Sequence, residues 1–500
     1  MFLENNKFEG DTMNIKRDVK KNFKYIKDKY GKSNDIVERN IKFHKKNIGY
    51  MYLESVSSDD KISNFFMKDI TYNTNKIITI KNIFKFLKDS IPNSNIKIIT
   101  NIDESFYYLS SGYTVLFIEN KKEAIVIETK NKLDRGVTEA TSEAIIRGPK
   151  DSFTENHAIN IGLIRKRIKD ENLWMQEINV GRRTKTKVTI AYINDIVDKN
   201  LVKKIRSQIK NIDIDGILDS GYIREFLLDN KNSSLPQFLS TERPDLACSS
   251  LLQGKVVILV ENSPFVLIIP ALLIDFMHSP EDDYQKWINV SFTRILRIIS
   301  FALTIFLPGL YVALTTFNQE IIPNELLISL AVQREGVPFP TALETLMMII
   351  TFEILRESDI RIPNASGSSI GIVGALVLGE AAVTAGIVSP IVIIIIGVTS
   401  ISGLLFTDID IVNGIRFWRI FVLIFSSTIG IVGFIIALLL FITKLASIEY
   451  NGIPYLAPIA PFNKNANKDA IIRLPRNKLF KRPIYFSKKN QTRMRDKNEN

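Results

Sequence analysis

A change in hydropathy near residue 293 divides the chain into two parts suited to different solvents. Before it, charged and apolar residues alternate as in a water-soluble protein. A bilayer core about 30 Å thick needs roughly 20 helical residues to cross it, and charges at its centre are costly. The sequence therefore predicts a soluble head followed by a multi-pass α-helical membrane domain. The four apolar runs behind this prediction are Ile295–Phe317, Ile370–Val388, Ile391–Phe406 and Phe417–Leu445.

The apolar part of the chain is interrupted in its middle. Leu326–Val332 and Leu343–Leu355 are apolar but stand among charged and proline residues, so they suit spans, re-entrant pieces or interfacial helices. We expect both termini in the cytoplasm, which requires an even number of crossings. Four crossings are favoured and six are the alternative. The interrupting residues are Arg334, Glu335, Pro338, Pro340, Glu344 and Glu353.

The head has the pattern of two small α/β subdomains. Short apolar runs in pairs predict hairpins at 114–118 with 124–128, at 175–180 with 186–192, and at 255–260 with 265–269. Helices are expected at 77–87 and 195–210. The predicted boundaries are 1–61 for a polar, flexible segment, 62–140 for the first subdomain, 141–174 for a connecting helical region, 175–292 for the second subdomain, 293–446 for the membrane domain and 447–500 for a basic cytoplasmic tail.

The connecting region contains a structure-breaking Arg147-Gly148-Pro149 segment. Ser152 and Glu155 behind it have capping-box spacing, which predicts the start of a helix. That helix would direct Ile159, Leu163 and Ile164 inward. Arg165, Lys166 and Arg167 follow near its end, where cations suit the helix dipole.

Composition limits the partners and the chemistry. The formal net charge is +12, and the tail from Tyr450 onward is strongly basic, which suits a cytoplasmic position and anionic lipid rather than nucleic acid. No apolar signal core occurs in the first 20 residues. One cysteine, Cys248, excludes an intramolecular disulfide and a multi-cysteine metal site. The three scattered histidines, His44, His157 and His278, argue against a histidine metal centre and are expected at surfaces or interfaces.

No catalytic motif is present in the sequence. It lacks a P-loop, an HExxH motif, a GxSxG motif and a cysteine cluster. We therefore expect neither an enzyme nor a cofactor, and no catalytic, cofactor-binding or metal-binding residue is assigned.

Small residues recur at helical spacing in the apolar part. Such stripes let helix backbones approach closely, within one subunit or between identical subunits. Glu380 stands inside one stripe, and a carboxylate there either forms a structural hydrogen bond or lines an ion path. The candidate pore or helix-packing residues are Gly367, Gly371, Ala375, Gly379, Glu380 and Gly386, and Ala382 belongs to the same stripe. A second stripe contains Ser426, Gly430, Gly433 and Ala437.

Four stretches in consistent order, from about 62 to 445, resemble the A subunit of spore germinant receptors, the GerA family. They are 147–155 continuing to 160–167, 241–245 continuing to 252–267, 333–340 with Glu344 after it, and 371–390. Glu380 stands where the resemblance leads us to expect a glutamine. The head residues in these motifs are candidates for assembly contacts: Arg147, Gly148, Pro149, Arg165, Arg167, Glu242, Arg243, Pro244 and Asp245.

The resemblance implies a subunit of a nutrient receptor in the inner membrane of a bacterial spore. It implies a transporter-like B subunit that binds the nutrient, a C-subunit lipoprotein, and assembly of A subunits into a ring that releases ions. Two other functions remain open, a secondary transporter and a non-conducting scaffold subunit. The nutrient and the subunit count are not specified by the sequence.

Overall fold

The computed structural model describes residues 13–63, 95–131, 143–229, 233–361, 374 and 377–494, except for single positions 32, 44, 45, 144, 146, 407, 465 and 488. The chain forms two compact units. We call them the head unit, made of Met1–Leu228, Ser240–Pro270 and Phe480–Asn500, and the helical unit, made of Asp229–Leu239 and Ala271–Leu479.

The first half of the head unit is an antiparallel five-stranded sheet with the strand order β1-β2-β4-β5-β3. Its two faces are both apolar because successive side chains alternate: Met51 and Leu53 lie in one core cluster, and Tyr50 and Tyr52 lie in the other. The elements are α1 (Val19–Lys29), β1 (Ile36–Phe43), β2 (Lys46–Leu53), β3 (Ile96–Ile99), α2 (Glu104–Ser110), β4 (Tyr113–Ile118) and β5 (Ala124–Glu128).

This sheet corrects the prediction of a flexible segment, 1–61, for its described part from residue 13 onward. Helix α1 begins where the Asp18 side chain accepts a hydrogen bond from the Lys20 amide, and it buries Phe23 against Phe117 of β4, with ring centroids 5.9 Å apart. Strands β1 and β2 belong to the same sheet. This segment is rich in Lys and Asn, so its short apolar stripe was not recognised as a folded element. Tertiary contacts stabilise that stripe. The expected helix at 77–87 lies outside the described residues.

The second half of the head unit repeats the strand order of the first. Its sheet has the order β6-β7-β9-β10-β8, so the third strand of each set lies at the edge beside the fifth. The hairpins predicted at 114–128, 175–192 and 255–269 are confirmed. The elements are α3 (His157–Arg167), β6 (Leu173–Val180), β7 (Thr186–Ile193), α4 (Lys199–Lys210), α5 (Ser220–Leu227), β8 (Leu239–Thr241), α6 (Pro244–Gln253), β9 (Val256–Val260) and β10 (Val266–Ile269).

The predicted helix start at Ser152 is wrong by four residues. The N-cap is Asn156, whose side-chain oxygen accepts hydrogen bonds from the amides of Ala158 and Ile159. Asn160 Oδ1 accepts a hydrogen bond from the Thr154 amide at 2.8 Å, and this contact fixes the segment that precedes the helix. The inward direction of Leu163 and Ile164 is confirmed, and Ile159 is half-buried.

The helical unit begins earlier than the predicted boundary at 293, since the second sheet ends at Ile269. Among the described residues, one helix is long and apolar enough to cross a bilayer, and two further apolar helices, 390–403 and 431–447, are shorter. The multi-pass arrangement therefore stays a prediction. The helices are α7 (Leu273–Phe276), the long α8 (Trp287–Thr316), α9 (Asn324–Gln333), α10 (Thr341–Arg361), α11 (Pro390–Gly403), α12 (Ile409–Ile429) and α13 (Ile431–Ser447).

The apolar run Phe417–Leu445 is two helices and not the single span that we expected. Gly430 separates α12 from α13 with φ +67° and ψ −140°, a conformation that essentially only glycine adopts. A Cβ at this position would lie 2.6 Å from the Cβ of Phe317. Hydropathy alone does not reveal such a break, because the break residue is itself uncharged.

The predicted basic tail, 447–500, is divided between the two units, and its described part contacts the rest of each unit. Its first part belongs to the helical unit, where the Arg294 guanidinium donates to the Asp469 carbonyl at 2.8 Å. Its last part belongs to the head unit, where Arg482 donates to the Leu252 carbonyl at 2.8 Å. The tail therefore accepts an arginine hydrogen bond in its first part and donates one in its last part. The tail also contains β11 (Glu449–Tyr450) and β12 (Ile453–Pro454).

Candidate functional site

Two of the sequence motifs meet inside the head unit. Arg243 is 1% exposed, and its Nη2 donates to the Pro149 carbonyl at 2.9 Å and to Asp245 Oδ2 at 2.8 Å. Pro244 occupies the first turn of α6, where its missing amide is no loss and where the Asp245 carboxylate suits the helix dipole. The buried guanidinium is thus balanced by one carboxylate and one carbonyl.

A second arginine, Arg167, connects the 147–155 stretch to the end of α3. Arg167 Nη2 donates to both carboxylate oxygens of Asp151 at 2.5 and 2.6 Å, and its Nη1 donates to the Leu163 carbonyl at 3.1 Å. The Phe153 amide donates to the Glu242 carbonyl at 2.7 Å. The 147–155 and 241–245 stretches therefore form one packed structure, although the sequence separates them by about 90 residues.

Arg165 connects the two sheets of the head unit. It is fully buried, and its guanidinium forms a bidentate pair with Asp35, Nε to Oδ2 at 2.5 Å and Nη2 to Oδ1 at 2.8 Å. Ser55 donates to the same carboxylate at 2.9 Å, and the Tyr30 ring lies 5.5 Å from the guanidinium carbon. Asp35 precedes β1 in the first sheet, while α3 packs on the second. No pattern in the sequence indicates Asp35 as the partner of Arg165.

The assembly candidates thus divide by exposure. Arg165, Glu242 and Arg243 are buried in the head unit, whereas Arg147 and Gly148 lie on its surface. Assembly contacts between copies remain a prediction, with Arg147 and Gly148 as its accessible members.

A polar cleft of about 310 Å³ opens beside the Asp35–Arg165 pair, between the two sheets. Residues from both subdomains line it, and acidic side chains outnumber the single lysine. The charged lining residues are Asp35, Glu54, Glu155, Glu177, Glu261 and Lys187.

His157 lies in the wall of this cleft and is buried. We expected each histidine at a surface or an interface, and His157 is not at the surface. Its Nε2 is 2.8 Å from Thr189 Oγ1. Burial lowers the pKa of His157 to about 4, opposed by the Glu261 carboxylate and assisted by Lys187. The imidazole is therefore neutral at pH 7 and acts as a hydrogen-bonding group of the wall.

In the helical unit the structure describes only part of the first small-residue stripe. Gly367, Gly371 and Ala375 lie outside the described residues. Gly379 is buried, and a Cβ there would lie 3.5 Å from the Ile393 side chain of α11, so this glycine permits close helix packing. Glu380 is exposed on this chain, and Gly386 has φ +66° in the turn after the helical stretch 377–384.

The third and fourth motifs meet through Glu344. This carboxylate is fully buried, and its Oε1 accepts hydrogen bonds from the Ser389 amide and from Ser389 Oγ, the latter at 2.5 Å. Ser389 is the N-cap of α11. Sequence reasoning treated Glu344 as one of several interfacial charges. The position of Glu344 in the first turn of α10 could be recognised from the sequence. Its partner, Ser389, could not.

The comparison with known families matches residues 24–485 to the family described as Bacillus/Clostridium GerA spore germination protein. The chain belongs to the GerA family of spore germination proteins. It is 36% identical over 482 residues to the Bacillus subtilis "Spore germination protein KA", covering 96% of this chain and 88% of that one. The resemblance that the four motifs indicated is confirmed.

Two further matches to this GerA-family protein are a membrane protein and a solved domain. The Bacillus subtilis "Uncharacterized membrane protein YfkQ" is 33% identical over 457 residues, covering 91% of this chain and 89% of that one. A crystal structure described as the N-terminal domain of the A subunit of the Bacillus megaterium spore germinant receptor GerK3 is 28% identical, covers 53% of this chain and 99% of that one, and has a TM-score of 0.41. None of these three relatives is named as an enzyme. Within the described residues, no group of three or more His, Cys, Asp or Glu residues could hold a metal.

The GerA-family chain also carries a charged cluster that the sequence reasoning missed. Glu353 of α10 pairs with Arg419 of α12 and lies 2.7 Å from Arg416 Nε. In the sequence, Glu353 is visible only as an interruption of an apolar run. Two arginines three residues apart share one helix face, and that spacing in an apolar helix was the signal that could have identified them.

Proposed function

We propose that this chain is the A subunit of a nutrient germinant receptor in the spore inner membrane. In this role it oligomerises and couples nutrient sensing by B-type and C-type partner subunits to the ion release that starts germination. It crosses the membrane several times, with both termini in the cytoplasm. The observation that carries this proposal is the family match over residues 24–485, which includes both the head unit and the helical unit.

The contacts of the head unit suit a rigid assembly body. Two sheets with the same strand order are joined by the buried Asp35–Arg165 pair, so the subdomains form a single support for contacts between copies. Exposed Arg147 and Gly148 are the motif residues available for such contacts. Buried residues of the same motifs stabilise the conformation of this surface.

The contacts of the helical unit suit motion between packed helices. A nutrient signal can shift the receptor between two states only through its different affinity for them. Close approach at Gly379 allows helices to slide or rotate with little steric cost. Since Glu380 is exposed on the single chain, we place it where it can face water or a neighbouring copy in the assembly.

Spores that carry this gene as their sole GerA-family A gene provide the test. Nutrient mixtures should cause potassium release, measured with an ion-selective electrode. Deletion should abolish that release, and the wild-type gene should restore it. Unchanged release after deletion would overturn the receptor role.

Reconstitution separates a conducting subunit from a scaffold and from a transporter. The purified chain in liposomes should give ion conductance once assembled with its partners. If liposomes that contain the partner subunits without this chain conduct ions equally well, the ion path belongs to another subunit. Uptake of a nutrient by this chain alone would favour a secondary transporter.

A further inference from the structure

A cavity of about 480 Å³ lies within the helical unit, among α8, α10, α11 and α12. Most of its wall is apolar, formed by side chains such as Ile349, Phe352, Ile396 and Ile415. Its polar side is made by one carboxylate, Glu353, and by three arginines. The arginines are Arg356, Arg416 and Arg419.

The charges of the lining residues do not balance. Glu353 serves both Arg416 and Arg419, while Arg356 has no hydrogen bond or ion pair with the described part of the chain. Arg419 is 5% exposed, and its Nε has no acceptor among the described residues. Two positive charges in excess beside apolar walls are unfavourable without a counter-charge, because the desolvation cost is not offset.

The cavity reaches the apolar surface of the unit. Ile401 and Leu404 line it and are 69% and 66% exposed, so one wall continues onto the outside of the helices. Arg416 follows the start of α12 by seven residues, which is about 10 Å along the axis. With the start of α12 placed at the membrane surface, this depth is near the head groups rather than the bilayer centre.

We propose that this cavity binds one anionic phospholipid. The phosphate lies among Arg356, Arg416 and the unsatisfied Nε of Arg419, and an acyl chain follows the apolar wall out past Ile401 and Leu404. Guanidinium groups suit phosphate oxygens because they present several donors in one plane. The inference rests on the proposed placement of the helical unit in a membrane, and it assigns that unit a lipid ligand.

Lipid binding to the full chain in neutral detergent tests this proposal. Phosphatidylglycerol should raise the melting temperature, and native mass spectrometry should show one tightly retained lipid. Phosphatidylcholine and inorganic phosphate at the same concentration should have little effect. An equal effect of inorganic phosphate would replace the lipid with a free anion, and an equal effect of phosphatidylcholine would show that charge is not recognised. Either result overturns the proposal.

Two variants remove the site by different means. Arg356→Gln deletes a charge that has no ion pair within the described residues, and it should weaken phosphatidylglycerol binding about tenfold or more. Arg356→Lys should recover part of that binding. Gly397 lines the cavity with no atom within 4 Å of a Cβ built there, so Gly397→Leu should fill the space without altering charge. The control is Lys444→Gln, which removes a cation from α13 outside the cavity. Wild-type affinity in both folded variants would refute the site.

This test needs neither a nutrient nor the partner subunits. A failure of the germination experiment would therefore leave the lipid result standing, and a failure here would leave the receptor role unaffected.

Discussion

The carboxylate of Glu344 caps the helix that begins after Ser389, 45 residues further along the chain. It accepts the Ser389 amide and hydroxyl at the N-terminus of α11, where the helix dipole favours a negative charge. This relation joins two motifs of the GerA family in one contact. It also gives a buried carboxylate in the helical unit a structural task, independent of any ion path.

Removal of the Glu344 carboxylate should therefore destabilise the start of α11. Glu344→Ala leaves the Ser389 amide and hydroxyl without an acceptor in a buried place, and charge-assisted hydrogen bonds contribute about 1.5–3 kcal/mol each. We expect a lower melting temperature and faster amide exchange in the 390–403 peptide, with a smaller effect for Glu344→Gln. Exposed Glu335, substituted by alanine, is the control. Equal behaviour of the two alanine variants would contradict the capping role.

The Asp35–Arg165 pair should be the most sensitive polar contact of the head unit. Arg165→Met leaves the Asp35 carboxylate buried, with the Ser55 hydroxyl as its remaining side-chain donor in the described part of the chain. Loss of one partner of a buried pair typically costs about 3–5 kcal/mol. Arg165→Lys should not restore stability, because lysine lacks the bidentate geometry. The measurement is amide exchange of both sheets in the full chain.

A matched surface pair provides the control for that prediction. Arg182 pairs with Asp213 and Asp215 while 65% of its side chain is exposed. Arg182→Met should cost less than about 1 kcal/mol. Similar losses for Arg165→Met and Arg182→Met would show that the buried pair does not hold the subdomains together.

Sequence patterns predicted the hairpins well because each depends on local information. Apolar runs of strand length on both sides of a polar turn, as at Thr114–Ile118 and Ala124–Glu128, are sufficient. Partners far apart in the sequence were not available from such patterns. Asp35 for Arg165 and Ser389 for Glu344 are 130 and 45 residues away, and nothing in either local segment identifies the other.

Helix ends were the other weakness of the sequence reasoning, and the reason is energetic. Ser152 and Asn156 both precede α3 with side chains able to cap it, and a cap contributes only about 1 kcal/mol. The side chain of Asn160 binds the Thr154 backbone and keeps that segment out of the helix. The choice between two caps was thus made by contacts outside the capping motif.

Stability of the head unit should fall as the pH decreases through the range set by His157. Its pKa is about 4 in the folded chain and 6.5 for an unperturbed histidine, so the unfolded state binds more protons between these values. Stability present above about pH 6.5 is lost progressively toward pH 4, by an amount of up to about 3 kcal/mol. Amide exchange of the 157–167 peptide at pH 7.5 and pH 5 measures this loss.

The comparison with His157→Gln isolates the imidazole from neighbouring carboxylates. Glutamine can still bond Thr189 but does not titrate, so its exchange should depend less on pH over this interval. Glu261 and the other acids of the cleft remain in both proteins and cancel in the difference. An identical pH dependence in the two proteins would show that His157 is not the group responsible.

Gly430 should be essential for the break between α12 and α13. Gly430→Ala forces a side chain into a glycine-only conformation and within 2.6 Å of Phe317, which should cost at least about 1–3 kcal/mol. Gly397→Ala in the regular helix α11 has open space and should be neutral or stabilising by up to about 1 kcal/mol. Melting temperatures of the two variants in detergent provide the measurement, and a stable Gly430→Ala protein would contradict the assigned break.

Gly379 and Ala381 should separate packing within one chain from packing between copies. Gly379 is buried against Ile393, so Gly379→Leu should disturb the fold of the single chain and lower its melting temperature. Ala381 is exposed, so Ala381→Leu should leave that temperature unchanged while weakening assembly if this helix face meets another copy. Cross-linking in membranes reports the assembly, and potassium release from spores reports the gating. Normal assembly and release in Ala381→Leu spores would place the contact between copies on another face.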